Sequence, residues 1–292
     1  MQPPTSSDPF PPSVPAGLGE IARAVATALS GSEGVRALFL SGSLAADTAD
    51  AWSDLDLLAL APPGARDEVI AAFFAAVDGV RPLVMRRETS GRVSLANAIT
   101  EDWRRCDLLV LPPDAFPQPK HVRAGLVPLI DPDGRHGRLP GTLPPASPDP
   151  ARVAYLVEEF IRVLGLLPVA LGRRERLLLV TGAGLLRDLL RDLMLEKCPL
   201  PDREGVLHPS RLLTDGQVAA LEALPHPGPD RDRGIEAQVA TARVFLPLAH
   251  RKVAELNLCW PGAFYAATRE ALRRAGVSLD WWPPTEERSD RP

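Results

Sequence analysis

FLSGSLAADTADAWSDLDLLAL, from Phe39 to Leu60, is the stretch from which the rest of the chain can be read. Its start completes a short continuous apolar run, Val35 to Leu40, which reads as a buried strand entering the tight turn Ser41-Gly42-Ser43. Its end, Leu55 to Leu60, reads as a second buried strand. Two acids, Asp54 and Asp56, open that second strand. Residues i and i+2 of a strand point the same way, about 6–7 Å apart, so both carboxylates project from one face. Like charges at ~6 Å repel by roughly 3 kcal/mol at an effective dielectric of 20, a cost offset by a cation between them or by good solvation. Magnesium suits the role: it wants hard oxygen ligands and takes one or two carboxylates together with substrate phosphates. Gly42 lets the backbone approach a phosphate closely, and the Ser43 hydroxyl adds a donor. Such a turn beside paired acids is equipment for phosphoryl or nucleotidyl transfer.

Working outward, apolar residues at helical spacing predict a helix from Leu18 to Leu29 and another from Ala65 to Val77, closing near Gly79. Strand-like runs follow at Pro82–Arg86, Val93–Thr100 and Cys106–Leu111, the first two forming a hairpin across Ser90-Gly91. A last strand, Leu126–Ile130, precedes the turn signal Asp131-Pro132-Asp133-Gly134. Asp107 is an acid inside an otherwise apolar strand, which is costly unless it is paired or ligating. It is the candidate third carboxylate of a two-metal site; the plainer alternative is an ion pair with a neighbour such as Arg105.

Gly42-Ser43, ten intervening residues and then Asp54-x-Asp56 resemble the signature of the polymerase-beta-like nucleotidyltransferase superfamily, and Asp107 fits its later-strand acid. The local sequence looks most like small bacterial antibiotic (aminoglycoside-type) nucleotidyltransferases. The resemblance implies an α+β chain: a nucleotidyltransferase domain, with a mixed sheet and flanking helices, followed by an all-helical substrate-positioning domain. It implies that Asp54, Asp56 and Asp107 hold two magnesium ions, and that Gly42 and Ser43 bind ATP or another nucleoside triphosphate. The implied reaction moves a nucleoside monophosphate, AMP by default, to a hydroxyl of a small-molecule acceptor and releases pyrophosphate. An enzyme transferring AMP to a partner protein would need the same acids, and a non-catalytic nucleotide-binding descendant is a third reading. One departure stands out: Ala46-Asp47 occupies the place where relatives often carry Arg-Gly, and an arginine there would help hold phosphates.

The rest of the chain differs in character. Gly137 to Pro150 (GRLPGTLPPASPDP) holds five of the 32 prolines and reads as a linker. Beyond it, helical periodicity covers Ala151–Leu171, Glu175–Leu195, Thr214–Leu224, Ile235–Leu256 and Pro261–Ala275, with Gly276 placed as a C-terminal cap. The expected organisation is a disordered leader over 1–17, a catalytic domain over 18–136, the linker over 137–150, a helical domain over 151–282 and a disordered tail over 283–292.

The chain has 292 residues and a net charge of -4, and neither half carries the basic excess that tracks a phosphate backbone, so a long nucleic-acid partner is not expected. No apolar run reaches ~18 residues, so no membrane span is expected. The N-terminus lacks the basic and apolar regions of a signal peptide, and three cysteines without metal-ligand spacing (Cys106, Cys198, Cys259) read as reduced thiols of a cytoplasmic protein. Glu158 and Glu159, on the first helix after the linker, are candidates for a general base, though such a pair is usually a solvated face. The five histidines are scattered and read as structural. Gly182-x-Gly184 reads as helix packing, and Trp281-Trp282 as a clasp on the last helix.

Overall fold

The computed structural model describes residues 14–32, 34–143, 147–197 and 209–282. Most of the predicted leader and all of the predicted tail, together with Cys198, His208 and residues 144–146 of the linker, lie outside the described residues. The chain forms two compact units, Met1–Pro144 and Pro145–Pro292. Its class is α+β: a mixed six-stranded sheet with flanking helices, then a helical C-terminal region.

In the first unit the elements are α1 (Ala16–Ser30), β1 (Ala37–Ser41), α2 (Gly42–Ala45), β2 (Leu55–Leu60), α3 (Arg66–Val80), β3 (Leu83–Thr89), β4 (Ser94–Thr100), β5 (Arg105–Leu111) and β6 (Val127–Ile130). The sheet runs β3-β4-β5-β2-β1-β6; β2 and β5 are parallel and every other pair is antiparallel. Strand β2 falls on the residues expected, because LDLLAL, apolar at every position but Asp56, fits a largely buried strand. The β3–β4 hairpin also forms as expected.

One local expectation is corrected. Ser41-Gly42-Ser43 is not a simple turn: Gly42 opens a four-residue helical turn, α2, at φ +64°. Helix α3 closes near Gly79, as expected, ending at Val80 where Arg81 is forced into an extended conformation by the proline after it.

The sheet has two unlike faces. One is covered by α1 and α3, which bury Leu18, Ile21, Val69 and Phe73 against Leu57, Ala96 and Leu108 of the strands. The other carries a smaller cluster around Phe39, Leu58, Leu60 and Leu111 at one end. Alternation along β4 and β5 reports the asymmetry directly, since helix-facing residues are buried and their neighbours only half-buried.

Six helices are described in the second unit: α4 (Pro150–Leu164), α5 (Leu167–Arg173), α6 (Arg176–Leu195), α7 (Asp215–Glu222), α8 (Arg231–Glu255) and α9 (Gly262–Arg274). The helix expected over Ala151–Leu171 is two helices, because Gly165 caps α4 and Pro168 starts α5. Thr214 and Gln217 form a reciprocal capping box at α7, which explains why so short a helix starts where it does. Gly182 packs α6 against Gln238 of α8, whose amide donates to the Leu179 carbonyl at 3.1 Å. Trp282 is buried against Tyr265, and Gly276 takes φ +74° just past α9. Among the described residues no helix is long and apolar enough to cross a membrane.

Candidate active site

Strand register builds the site. Asp56 on β2 lies beside Asp107 on β5, and Ser41 at the end of β1 lies on the other side of Asp56. Asp54 immediately precedes β2 and, two residues before Asp56, shares its side of the sheet. Asp56 and Asp107 have the same parity as Leu58, Leu60 and Leu111, so all three acids stand on the face that α1 and α3 leave open. One carboxylate oxygen from each lies within 4.8 Å of the others, and among the described residues this is the one group of His, Cys, Asp or Glu side chains so placed.

Three negative charges at this spacing repel by roughly 3 kcal/mol per pair at an effective dielectric of 20. The strain appears in the acid at the centre. Burial, then the charges of Asp54 and Asp107, push the Asp56 carboxyl from 3.8 up to about 7, with Arg105 acting weakly against them. Asp107 is also raised, chiefly by burial, while a hydrogen bond from Asn97 pulls it back. A hard divalent cation would relieve this repulsion, and the all-oxygen donor set suits magnesium.

The loop before β2 is tied to the same place. Gly42 passes so near Asp56 that a Cβ at that position would collide with the carboxylate, and the backbone there is left-handed. Glycine is therefore required twice over, by conformation and by space. Ser43, the next residue, is half-buried. Asp47 takes φ +55°, a conformation that glycine adopts freely and aspartate tolerates better than most residues. This gives a backbone reason for an aspartate at position 47. The turn ahead of Asp54 is held by Asp50, which accepts from the Trp52 backbone at 2.9 Å and from the Ser53 hydroxyl at 3.2 Å.

Three residues that sequence reading did not assign to the site stand in it. Arg105 pairs with Asp54 at 3.4 Å, not with Asp107, and also donates to the Trp52 carbonyl at 3.1 Å. The reason is register: Arg105 aligns with the position before β2, one level away from Asp56 and Asp107. Asn97 on β4 donates from Nδ2 to Asp107 Oδ1 at 2.8 Å, and Arg87 on β3 reaches the Asn97 Oδ1 at 3.3 Å. A polar residue amid the apolar β4 was the available signal for Asn97.

The remaining candidates fall elsewhere. Glu159 is clamped by Arg162 through two bonds of 2.6 Å, which hold its carboxyl below the usual range and make it a poor base. Glu158 is exposed on α4. Arg174 adopts a left-handed conformation and Glu175 caps α6, so the charged run Arg173-Arg174-Glu175-Arg176 is a helix start. Cys106 is buried, with its thiol pushed up to about 12 by burial, and Cys259 is exposed; both are free.

No family model matches the chain, and no curated protein matches it. Among solved structures it is similar to an aminoglycoside 6-adenyltransferase from Bacillus subtilis, at 14% identity and a TM-score of 0.40, covering 91% of this chain and 100% of that one. At that score the likeness is one of outline, and the functional reading below stands on the chain's own residues.

Proposed function

We propose that the chain is a magnesium-dependent nucleotidyltransferase that moves AMP from ATP to a hydroxyl of a small-molecule acceptor and releases pyrophosphate. One observation carries this reading: Asp54, Asp56 and Asp107 converge on the open face of the sheet, with Asp56 packed against Gly42. Asp54, Asp56 and Asp107 hold the ions. Gly42 lets the chain come close to a triphosphate, and the Ser43 hydroxyl donates to it. When bound, magnesium supplies the charge that acidifies the acceptor hydroxyl and steadies the leaving pyrophosphate. Arg105 sets a guanidinium beside Asp54 and so tempers the repulsion among the acids in the ion's absence. The resemblance of the Gly42–Asp56 segment to antibiotic nucleotidyltransferases supports an aminoglycoside-like acceptor.

The test is incubation with magnesium and labelled ATP, GTP, CTP or UTP against a panel of aminoglycosides and lincosamides, with Asp54→Asn and Asp56→Asn as controls. Label transferred by the wild type and by neither variant is the expected result. Equal transfer by either variant would remove the acids from the chemistry.

A further inference from the structure

A polar row crosses the open face at a single level. Arg87 on β3 is in register with Asn97 on β4, Asn97 with Asp107 on β5, and Asp107 with Asp56 on β2. Hydrogen bonds run along its outer part: Arg87 Nε and Nη2 each donate to Asn97 Oδ1 at 3.3 Å, and Asn97 Nδ2 donates to Asp107 Oδ1 at 2.8 Å. The direction of these bonds is forced. A guanidinium can only donate, so the amide oxygen must face Arg87 and the amide nitrogen must face Asp107.

An amide suits this position better than a charge would. An arginine bonded directly to Asp107 would compete with an incoming cation for the carboxylate. The neutral amide occupies one oxygen, fixes the side-chain rotamer and leaves the second oxygen clear of this bond. Arg87 stays one strand further out, where it is exposed and fixes which way the amide points. Partners that orient ligating groups in this way typically contribute 10–100-fold to metal affinity or activity.

We propose that Asn97, held by Arg87, is a positioning residue that presents the Asp107 carboxylate to a divalent cation at the triad. This rests on the reading of Asp54, Asp56 and Asp107 as metal ligands. The sign of the Arg87 effect separates positioning from plain electrostatics. Removing a nearby positive charge strengthens cation binding by Coulomb's law, whereas losing the amide's orientation weakens it.

The test is a manganese titration of the full chain, followed through the electron paramagnetic resonance signal of the free ion. Wild type, Asn97→Ala, Arg87→Ala, Arg87→Lys and the double alanine variant are compared, with the thermal midpoint in chelator reporting folding separately. Asn97→Ala should bind about 10-fold more weakly. Arg87→Ala should bind about 3-fold more weakly and Arg87→Lys close to wild type, because lysine can still donate to the amide oxygen. The double variant should be no weaker than Asn97→Ala alone, since Arg87 acts only through the amide. Wild-type affinity in Asn97→Ala, tighter binding in Arg87→Ala, or additive losses in the double variant would overturn the proposal while leaving the metal site standing. No binding by the wild type would overturn the metal reading and this proposal with it. Should Asn97→Ala fail to fold, the exposed Arg87 variants carry the test by themselves.

Discussion

The two faces of the sheet are built from the same strands and differ in every other respect. On β5, Cys106, Leu108 and Val110 point toward α1 and α3 and are buried, while Arg105 and Asp107 stand between them on the open side. On β2, Leu57 and Ala59 belong to the helix-covered core, and Asp56 shares the other face with Leu58 and Leu60. One face is closed by apolar contact and stabilises the fold. The other concentrates three carboxylates that repel one another, and burial together with that repulsion raises Asp56 to about 7. A sheet can carry such a destabilising group only because alternation lets one strand serve both purposes at once.

Substitutions on the two faces should therefore fail in different ways. Asp56→Asn should lower nucleotidyl transfer by at least about 1000-fold, a few kcal/mol of lost transition-state stabilisation, while the metal-free protein stays folded; steady-state kinetics and circular dichroism check this. On the covered face, Leu108→Ala should cost about 2–5 kcal/mol of stability in denaturant unfolding, with manganese affinity of the folded protein unchanged. A loss of affinity there, or of stability in Asp56→Asn, would blur the distinction between the faces.

Gly42→Ala tests how closely the loop is fitted to the acids. A Cβ there meets the Asp56 carboxylate on a left-handed backbone, and manganese affinity should fall about 10-fold by titration. The pH dependence sharpens the same point. With Asp56 near 7, the proton must leave before a cation binds, so affinity should fall about tenfold per pH unit below 7 and level off above it. In the metal-free protein the folded carboxyl holds its proton more tightly than the unfolded one, whose ordinary value is 3.8. Its contribution to stability is thus full below about 3.8 and lost as pH rises through about 7. Thermal midpoints measured in chelator should show that decline in wild type and lack it in Asp56→Asn. The smallest effect is expected in the loop: Asp47→Val should be less stable than Asp47→Gly by about 1 kcal/mol in thermal unfolding, because valine and not glycine is strained in the left-handed conformation.

How much of this was legible in the sequence follows from the range of the interactions. Strand β2 and the acids Asp54, Asp56 and Asp107 could be picked out because apolar runs and i, i+2 spacing are local signals. Arg105, Asn97 and Arg87 could not be placed, because their partners are set by the alignment of β5 with β2 and β4, which no single segment encodes. For the same reason the ion pair weighed as the plainer alternative for Asp107, with Arg105, is found on Asp54 instead. The split between α4 and α5 had its signal in Gly165 and Pro168, which apolar periodicity running straight through them concealed. The left-handed turn at Gly42 is legible only once Asp56 is known to lie against it.

We propose that the open face holds divalent ions on Asp54, Asp56 and Asp107. Manganese titration of wild type beside Asp56→Asn at pH 8, where the carboxyl is ionised, tests it most directly. Saturable binding by the wild type that is lost in the variant is the predicted result; equal binding by both, or none by the wild type, would contradict it.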